Sequence, residues 1–211
     1  RNGNLYVADL LNHRIRKIDV SGNVTTLAGS GTSGFKNGSG DAARFNQPSG
    51  VAVDASGNVF VADAWNHRIR RIDPLGNVTT FAGNGSRDSV DGYRTSAAFD
   101  VPYDLALDSS GNLYVADRFN YQIRKITPDG TVSTLAGSGS PGSADGAAGV
   151  ATFDVPSGLA VDASGNVYVS GGRKVDPAGN VTTFTSILPE GLAVDSSGNL
   201  YLSEYGNKVH Q

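Results

Sequence analysis

The sequence predicts an all-β protein, a β-propeller of four-stranded antiparallel blades, and three observations support this fold class. The phrase GN[LV][YF]V begins at positions 3, 57, 111 and 165, and GNLYL begins at position 198, so that a structural unit repeats along the chain. Short runs rich in Val, Ile, Thr and aromatic residues alternate with turns rich in Asn, Gly, Pro and Ser. No segment has the periodicity of an amphipathic helix.

The second unit illustrates the elements of one blade. Its four predicted strands are SGVAVD (49–54), NVFVAD (58–63), HRIRRID (67–73) and NVTTFAG (77–83). The first two strands are apolar on both faces, and a sheet made of such strands must be covered on both sides. Adjacent blades of a propeller provide this cover for one another.

The repeat predicts about five units within a single domain or propeller segment, and the first and last units are incomplete. The predicted strand counts are three, four, four, four and three. An incomplete blade at each end leaves a sheet face open, so we expect the chain either to be an excised arc of a larger propeller or to self-associate through its terminal blades. The approximate units are 1–46, 47–100, 101–154, 155–187 and 188–211.

Two motifs carry a family resemblance. NHR occurs at 12–14 and 66–68, each time after a [YF]VAD strand and before I-R-[KR]-I-D, and the chain also contains P-x-G-[VL]-A-[VL]-D. Together these motifs resemble the NHL-repeat family of β-propellers. The resemblance implies a disc, usually of six blades, and a family that includes RNA-binding, protein-binding and lyase-type proteins.

Composition narrows the classes of function. The 211 residues carry a formal net charge of -3, contain no Cys, and include no block of five like charges. This balance gives no basic footprint for nucleic acid, so RNA binding is disfavoured. No apolar run reaches the roughly 20 residues that span a membrane, and no membrane association is predicted. Five N-x-S/T sequons would be a heavy glycan load in a eukaryotic secretory route, which favours an extracellular or periplasmic bacterial protein.

Three long connections distinguish this chain from an ordinary propeller. They run from the fourth strand of one unit to the first strand of the next, at 28–48, 82–102 and 136–156. In a propeller, these insertions emerge on the same face as the hairpin between the second and third strands. Variable loops on a rigid scaffold are where binding residues usually lie, so we predict a ligand-binding face there.

Each insertion contains Asn-Gly or Asp-Gly and, seven residues after the Gly, a Phe. We expect this regular Phe (Phe45, Phe99, Phe153) to be buried between blades and the dipeptide to form a turn. The irregular positions remain free to recognise a ligand, and so do two aromatic residues at hairpin tips if these are exposed rather than covering a neighbouring blade. The predicted ligand-binding residues are Trp65, Phe119, Lys36, Arg44, Arg87, Asp88, Tyr93 and Arg94.

The stretch DAWNHRIRRID (63–73) has the residue types of a catalytic or metal site. Related copies stand at 9–19 and 117–127, and in the third copy the His is replaced by Tyr, which cannot shuttle protons as imidazole does. We therefore predict a structural frame in which the His or Tyr ties the hairpin to its neighbour and the repeated Arg pairs with acids. The frame residues are His13, His67, Tyr121, Arg16, Arg70 and Arg124.

A further repeated element is an Asp before [AS]SGN, at Asp54, Asp108, Asp162 and Asp195. The spacing resembles an oxygen-rich calcium loop but also describes a turn capped by Asp, and the turn is favoured because the other ligands of a calcium loop are missing. The sequence contains no phosphate-binding loop, nucleophile elbow or zinc-protease motif. No metal, cofactor or catalytic residue is predicted.

These observations predict a non-catalytic recognition or scaffold module that binds protein or glycan through its insertion face. Two alternatives stay open. The first is a lyase-type or hydrolase-type propeller enzyme with a site in the central channel, and the second is an RNA-binding member of the family.

Overall fold

The computed structural model describes residues 3–189, 191–204 and 208–211. These residues form antiparallel sheets and five single-turn 3₁₀ helices, with no α-helix in the described part of the chain. None of its helices is long and apolar enough to span a membrane. The chain divides into two compact units, Arg1–Tyr103 and Asp104–Gln211, and each is described by itself.

The first unit contains two sheets. Sheet 1 has the order β1-β2-β3, and sheet 2 has the order β4-β8-β7-β6-β5. The strands of sheet 1 are β1 (Leu5–Asp9), β2 (Arg14–Ile18) and β3 (Val24–Ala28). Those of sheet 2 are β4 (Gly38–Ser39), β5 (Pro48–Val53), β6 (Val59–Asp63), β7 (Arg68–Ile72) and β8 (Asn77–Ala82). The two-residue strand β9 (Gly92–Tyr93) follows in the second long connection, at 82–102.

Three further sheets follow along the chain, and their strands pair in chain order. Sheet 3 contains β10 (Pro102–Leu107), β11 (Leu113–Asp117), β12 (Gln122–Ile126) and β13 (Thr131–Ala136). Sheet 4 contains β14 (Leu159–Val161), β15 (Val167–Val169), β16 (Arg173–Val175) and β17 (Val181–Thr183). Sheet 5 contains β18 (Gly191–Val194), β19 (Leu200–Glu204) and β20 (Lys208–His210). The predicted fold class is confirmed, including the incomplete first and last blades.

The second strands of sheets 2 and 3 are covered on both faces, as their sequences predict. Every residue of β6 and of β11 is buried. A bulge follows Ile69, which pairs with Ala82 while Arg70 pairs with Thr80. The alternation of strand side chains then places Arg70 on the same face of sheet 2 as Val61. The fold therefore directs a charged side chain towards a covered face.

Each unit has a hydrophobic core between neighbouring sheets. In the first unit, residues of sheets 1 and 2 pack with Phe45 from the insertion between them. In the second unit, Phe153 packs in the same way with residues of sheets 3 and 4. Regular Phe residues in the connections thus complete cores that the short strands alone leave unfilled.

Candidate functional site

The hairpin between β6 and β7 is the centre of the candidate site. A 3₁₀ turn, Ala64–Asn66, ends at His67, which has a left-handed backbone with φ of 53°. His13 and Tyr121 have the same conformation at the equivalent positions. This turn projects the side chain of Trp65 into solvent, and 47% of Trp65 is exposed.

The insertion 28–48 lies directly against this hairpin. The amide of Asn46 donates to the carboxylate of Asp63 at 2.8 Å, and the amide of Trp65 donates to the carbonyl of Asn46 at 3.1 Å. The side chain of Asn66 donates to the carbonyl of Gly34 at 2.9 Å. In the first unit, the predicted proximity of insertion and hairpin tip is therefore confirmed, and the backbone around Trp65 is held on both sides.

The two His residues act as predicted for the structural frame. Nδ1 of His13 accepts the amide of Gln47, and Nδ1 of His67 accepts the amide of Val101, each at 3.1 Å. Burial lowers the pKa of His67, which favours the neutral ring that this acceptor role requires. His67 thus links its hairpin to the next connection by a hydrogen bond. No contact of Tyr121 shows the same role, so that part of the prediction stays open.

The repeated Arg residues are paired with acids in two of the three predicted cases. The guanidinium of Arg70 lies 2.7 Å from Asp63, and that of Arg124 lies 2.8 Å from Asp117, with all four side chains fully buried. For Arg16, pairing with an acid stays a prediction: its guanidinium donates to the hydroxyl of Thr26 at 2.8 Å, and the residue is half-buried.

The insertions confirm one expectation and correct another. Phe45, Phe99 and Phe153 are buried, with at most 2% of each residue exposed. The Asn-Gly dipeptide is more than a turn, because Gly38 begins β4 and the side chain of Asn37 accepts a hydrogen bond from Arg70 at 2.7 Å. The dipeptide therefore adds a short strand to sheet 2 and also provides a hydrogen-bond acceptor for the buried guanidinium of Arg70.

Several exposed or half-buried side chains of the first unit belong to this hairpin or to the connections beside it. The guanidinium of Arg68 lies 4.0 Å from the ring centroid of Phe35, a cation–π contact, and donates to the carbonyl of Asn84 at 2.6 Å. On the other side of the hairpin, Asp100 lies 3.4 Å from His67 and accepts from the largely exposed Arg87 at 3.2 Å. We call this set the Trp65 surface, and its members are Trp65, Phe35, Arg68, Arg87 and Asp100.

The other predicted ligand-binding residues have the following contacts. Lys36 and Arg44 pair across the insertion, where their carbonyls accept from Arg70 while their side chains stay exposed. Tyr93 accepts from Arg94 at 2.9 Å, and the guanidinium of Arg94 lies 5.8 Å from the ring centroid of Phe81 in β8. The carboxylate of Asp88 accepts the next amide, from Ser89. In the second unit, Phe119 is 38% exposed and lies 5.7 Å from the guanidinium of Arg118.

The sequence analysis did not predict three members of the Trp65 surface, Phe35, Arg68 and Asp100. Phe35 has a sequence signal, because no other insertion has an aromatic residue at this position. Arg68 lies in a third strand, where basic residues recur. Its replacement by Gln122 in the third copy marked it as variable, which the buried Arg70 is not.

The repeated Asp turns are closed by their own hydrogen bonds. In each, one carboxylate oxygen accepts the amide of the Asn four residues later and the other accepts the side-chain amide, as Asp54 does with Asn58 at 2.8 and 2.6 Å. The same pattern recurs at Asp73 and Asp195. These oxygens therefore serve the Asp-capped turn. Within the described ranges, no three His, Cys, Asp or Glu side chains are grouped for metal binding.

The Asp-capped turns are expected to lose stability in acid. Hydrogen bonds from Asn77 hold the pKa of Asp73 below its usual value, so the turn is stabilised above the unfolded pKa of about 3.9 and the contribution is lost as the pH falls through the folded pKa. Replacing Asn77 with Ala is expected to lower the urea midpoint at pH 7, and the difference from the unmodified protein should shrink at pH 3. A difference that is constant over this range would contradict the assignment.

Comparisons with known proteins agree with this architecture. The family model described as "NHL repeat" matches residues 45–72. NHL repeat-containing protein 2 of Bos taurus is 36% identical over 134 residues, and the match covers 58% of this chain and 18% of that protein. The probable peptidyl-alpha-hydroxyglycine alpha-amidating lyase pgal-1 of Caenorhabditis elegans is 32% identical over 126 residues, covering 58% of this chain and 33% of that protein. The chain thus spans a third or less of the length of these relatives.

Among solved structures, a gluconolactonase from Xanthomonas campestris superposes with a TM-score of 0.68 at 22% identity. The superposition covers 98% of this chain and 67% of that chain. At this level of identity the similarity concerns the fold alone, because one fold carries many activities.

Proposed function

Because the chain belongs to the NHL-repeat β-propeller family, we propose that it is a non-catalytic recognition module that binds a protein ligand through the Trp65 surface. The observation that carries the proposal is the position of Trp65, an exposed large aromatic side chain on a backbone that the insertion fixes from both sides. A rigid backbone lowers the entropy that is lost when the side chain is ordered by a ligand.

The chemistry of the surface suits a protein partner. Trp and Arg are enriched among the residues that dominate binding energies in protein interfaces. Here, Trp65 is accompanied by Arg87, whose side chain is 61% exposed, and by Arg68 stacked on Phe35. The partner expected from this set offers an apolar pocket for the indole ring and carboxylates or carbonyls for the two guanidinium groups. Glycan binding is less favoured because Arg68 already covers one side of the Phe35 ring.

A catalytic role for His67 is not supported by its contacts. The ring lies 3.4 Å from Asp100, which resembles the pairing of a general base with its carboxylate. However, the Nδ1 lone pair accepts the amide of Val101, and only 7% of His67 is exposed. The similarity to enzymes therefore concerns the fold, and the contacts of His67 do not support a catalytic reaction at this hairpin.

The proposal predicts that binding depends on Trp65. Peptides selected against the protein by phage display, then measured by fluorescence anisotropy, should lose affinity at least about 30-fold against Trp65→Ala, as expected for a hot-spot residue worth about 2 kcal/mol. Leu75→Ala is the matched control, because Leu75 is 84% exposed in the β7–β8 turn, outside the Trp65 surface. This control should keep full affinity.

Three outcomes would overturn the proposal. Selected peptides that bind Trp65→Ala as tightly as the unmodified protein would remove Trp65 from the site. Trp65-dependent signals on a glycan array, in the absence of peptide binding, would identify a glycan receptor instead. RNA binding that weakens steeply with salt would identify a nucleic-acid-binding protein.

A further inference from the structure

The backbone at Val101 is strained. Val101 has a φ of 53°, in the left-handed region, and only 2% of the residue is exposed. A β-branched residue rarely adopts this conformation, and the following residue, Pro102, favours an extended backbone before it. Such strain persists only where neighbouring groups enforce it. A group next to Val101 must therefore hold this part of the connection 82–102 in place.

The side chain of His67 provides this group. Its Nδ1 accepts the amide of Val101 at 3.1 Å, and only 7% of His67 is exposed. A neutral imidazole accepts at one nitrogen and donates at the other, so the proton of this ring is on Nε2. Protonation of Nδ1 would replace the acceptor by a donor, and two N–H groups would then face each other. The hydrogen bond at Val101 therefore exists only while His67 is neutral.

Three charged groups act on the ring of His67. Oδ1 of Asp100 lies 3.4 Å from Nδ1, and the same oxygen accepts from Nε of Arg87 at 3.2 Å. Burial lowers the pKa of His67, the charge of Asp100 opposes this effect, and the charges of Arg87 and Arg68 add to it. Of the three groups, only the carboxylate of Asp100 can accept a hydrogen bond from a protonated Nδ1.

The equivalent hairpins do not combine these groups. His13 accepts the amide of Gln47 at 3.1 Å, but the residue before Gln47 is an Asn. In the third copy, Asp154 precedes Val155, which is also left-handed, but Tyr121 replaces the His. Among the three hairpins, only the one between β6 and β7 therefore has an imidazole, a carboxylate and a left-handed valine together.

We propose that His67, Asp100 and Val101 form an acid-sensitive contact, which holds the connection 82–102 near neutral pH and releases it in mild acid. A proton from solvent binds Nδ1, the amide of Val101 loses its acceptor, and the imidazolium pairs with Asp100. Relief of the strained backbone favours the released state. The connection carries Arg87, so a ligand at the Trp65 surface should bind more weakly in mild acid, a consequence that rests on the proposed function.

The sign of the pH dependence follows from the burial of His67. In the released connection, the ring is exposed to water and has its ordinary pKa of about 6.5, whereas burial lowers the pKa in the closed state. The released state therefore binds the proton more tightly, and the closed state loses stability as the pH falls below about 6.5. One proton lowers the protection of the Val101 amide about tenfold per pH unit, until the pH reaches the lowered pKa.

The test is native-state hydrogen exchange, followed by NMR at the amide of Val101 between about pH 8 and about pH 5. Exchange rates are converted to protection factors, which removes the pH dependence of the exchange chemistry itself. Protection of the Val101 amide should fall at least about tenfold over this range. The amides of β6 should keep their protection, because the sheet stays folded.

His67→Asn is the matched control. Its Oδ1 offers an acceptor in place of Nδ1, and Asn tolerates the left-handed conformation of this position, but the amide side chain binds no proton. In this variant, protection of the Val101 amide should be independent of pH. Asp100→Asn tests the carboxylate: because it removes the charge that stabilises the imidazolium, the loss of protection should begin at a lower pH than in the unmodified protein.

Three results would overturn the proposal. Protection of Val101 that stays constant with pH in the unmodified protein would mean that the contact does not respond to acid. An equal loss in His67→Asn would mean that another group senses the proton. A parallel loss in β6 would mean that the whole unit unfolds rather than the connection. The exchange experiment contains no ligand, so its result judges the acid response separately from the proposed function.

Discussion

Replacing Arg70 with Ala is expected to lower the free energy of unfolding by about 3–5 kcal/mol, the cost of breaking a buried ion pair from one side. Arg70 and Asp63 are both fully buried, and the variant leaves the Asp63 carboxylate without its cation. It also removes one of the donors to the carbonyls of Lys36 and Arg44, which continue to accept each other's backbone amides. Urea unfolding followed by the fluorescence of the single Trp reports on the unit that contains this pair.

The repeat provides a matched control for this experiment. Arg16→Ala removes the same residue type from the same position of the neighbouring sheet, where the guanidinium contacts only a hydroxyl among the described bonds. Its cost should stay below about 1 kcal/mol, the range of exposed polar contacts. The double variant Asp63→Leu with Arg70→Met should be less destabilised than Arg70→Ala, because no buried charge is left alone. Equal costs for Arg70→Ala and Arg16→Ala would contradict the buried-pair account.

The second large effect is expected for Phe45→Ala, which should cost about 3–5 kcal/mol, as large-to-small changes of buried aromatic residues do. Phe45 has no exposed surface and packs with Ile15 of sheet 1 and Val61 of sheet 2. Removing the ring opens a cavity between two sheets and also releases the insertion from the core. Hydrogen exchange should therefore accelerate at the amide of Asn46 as well as in the strands.

Phe35 provides the comparison within the same insertion. It is 46% exposed, so Phe35→Ala should change the unfolding free energy by less than about 1 kcal/mol while it weakens ligand binding at the Trp65 surface. Phe99→Ala should repeat the large cost, because Phe99 is also fully buried. A small cost for both Phe45→Ala and Phe99→Ala would mean that the insertions are not part of the core.

The candidate site shows where sequence reasoning succeeded. The repetition of the NHR hairpin along the sequence indicated that His67 belongs to the structural frame. The hydrogen bond from the amide of Val101 to His67 agrees with that prediction. The regular spacing of Phe45, Phe99 and Phe153 indicated burial, because a residue repeated at a fixed position serves the part of each blade that is also repeated. Repetition in sequence thus separated structural residues from variable ones.

The site also shows where sequence reasoning failed. The predicted binding role of Tyr93 and Arg94 stays a prediction, and the guanidinium of Arg94 lies 5.8 Å from the ring centroid of Phe81 in β8. Phe35 and Arg68, separated by more than thirty residues, meet only because the side chain of Asn66 holds Gly34 beside the hairpin. Such contacts depend on the path of the insertion, and that path cannot be read from a local sequence pattern.

The amino-acid sequence by itself determined the strands, their turns and their grouping into five units, because side-chain alternation and Asp-capped turns are local properties. The tertiary structure alone decided which equivalent residues are buried. Arg16 and Arg70 stand in nearly identical motifs, yet one is half-buried and the other is sealed beneath an insertion. The physical reason is that burial is a property of the neighbour that covers a face, and the strand itself does not encode that neighbour.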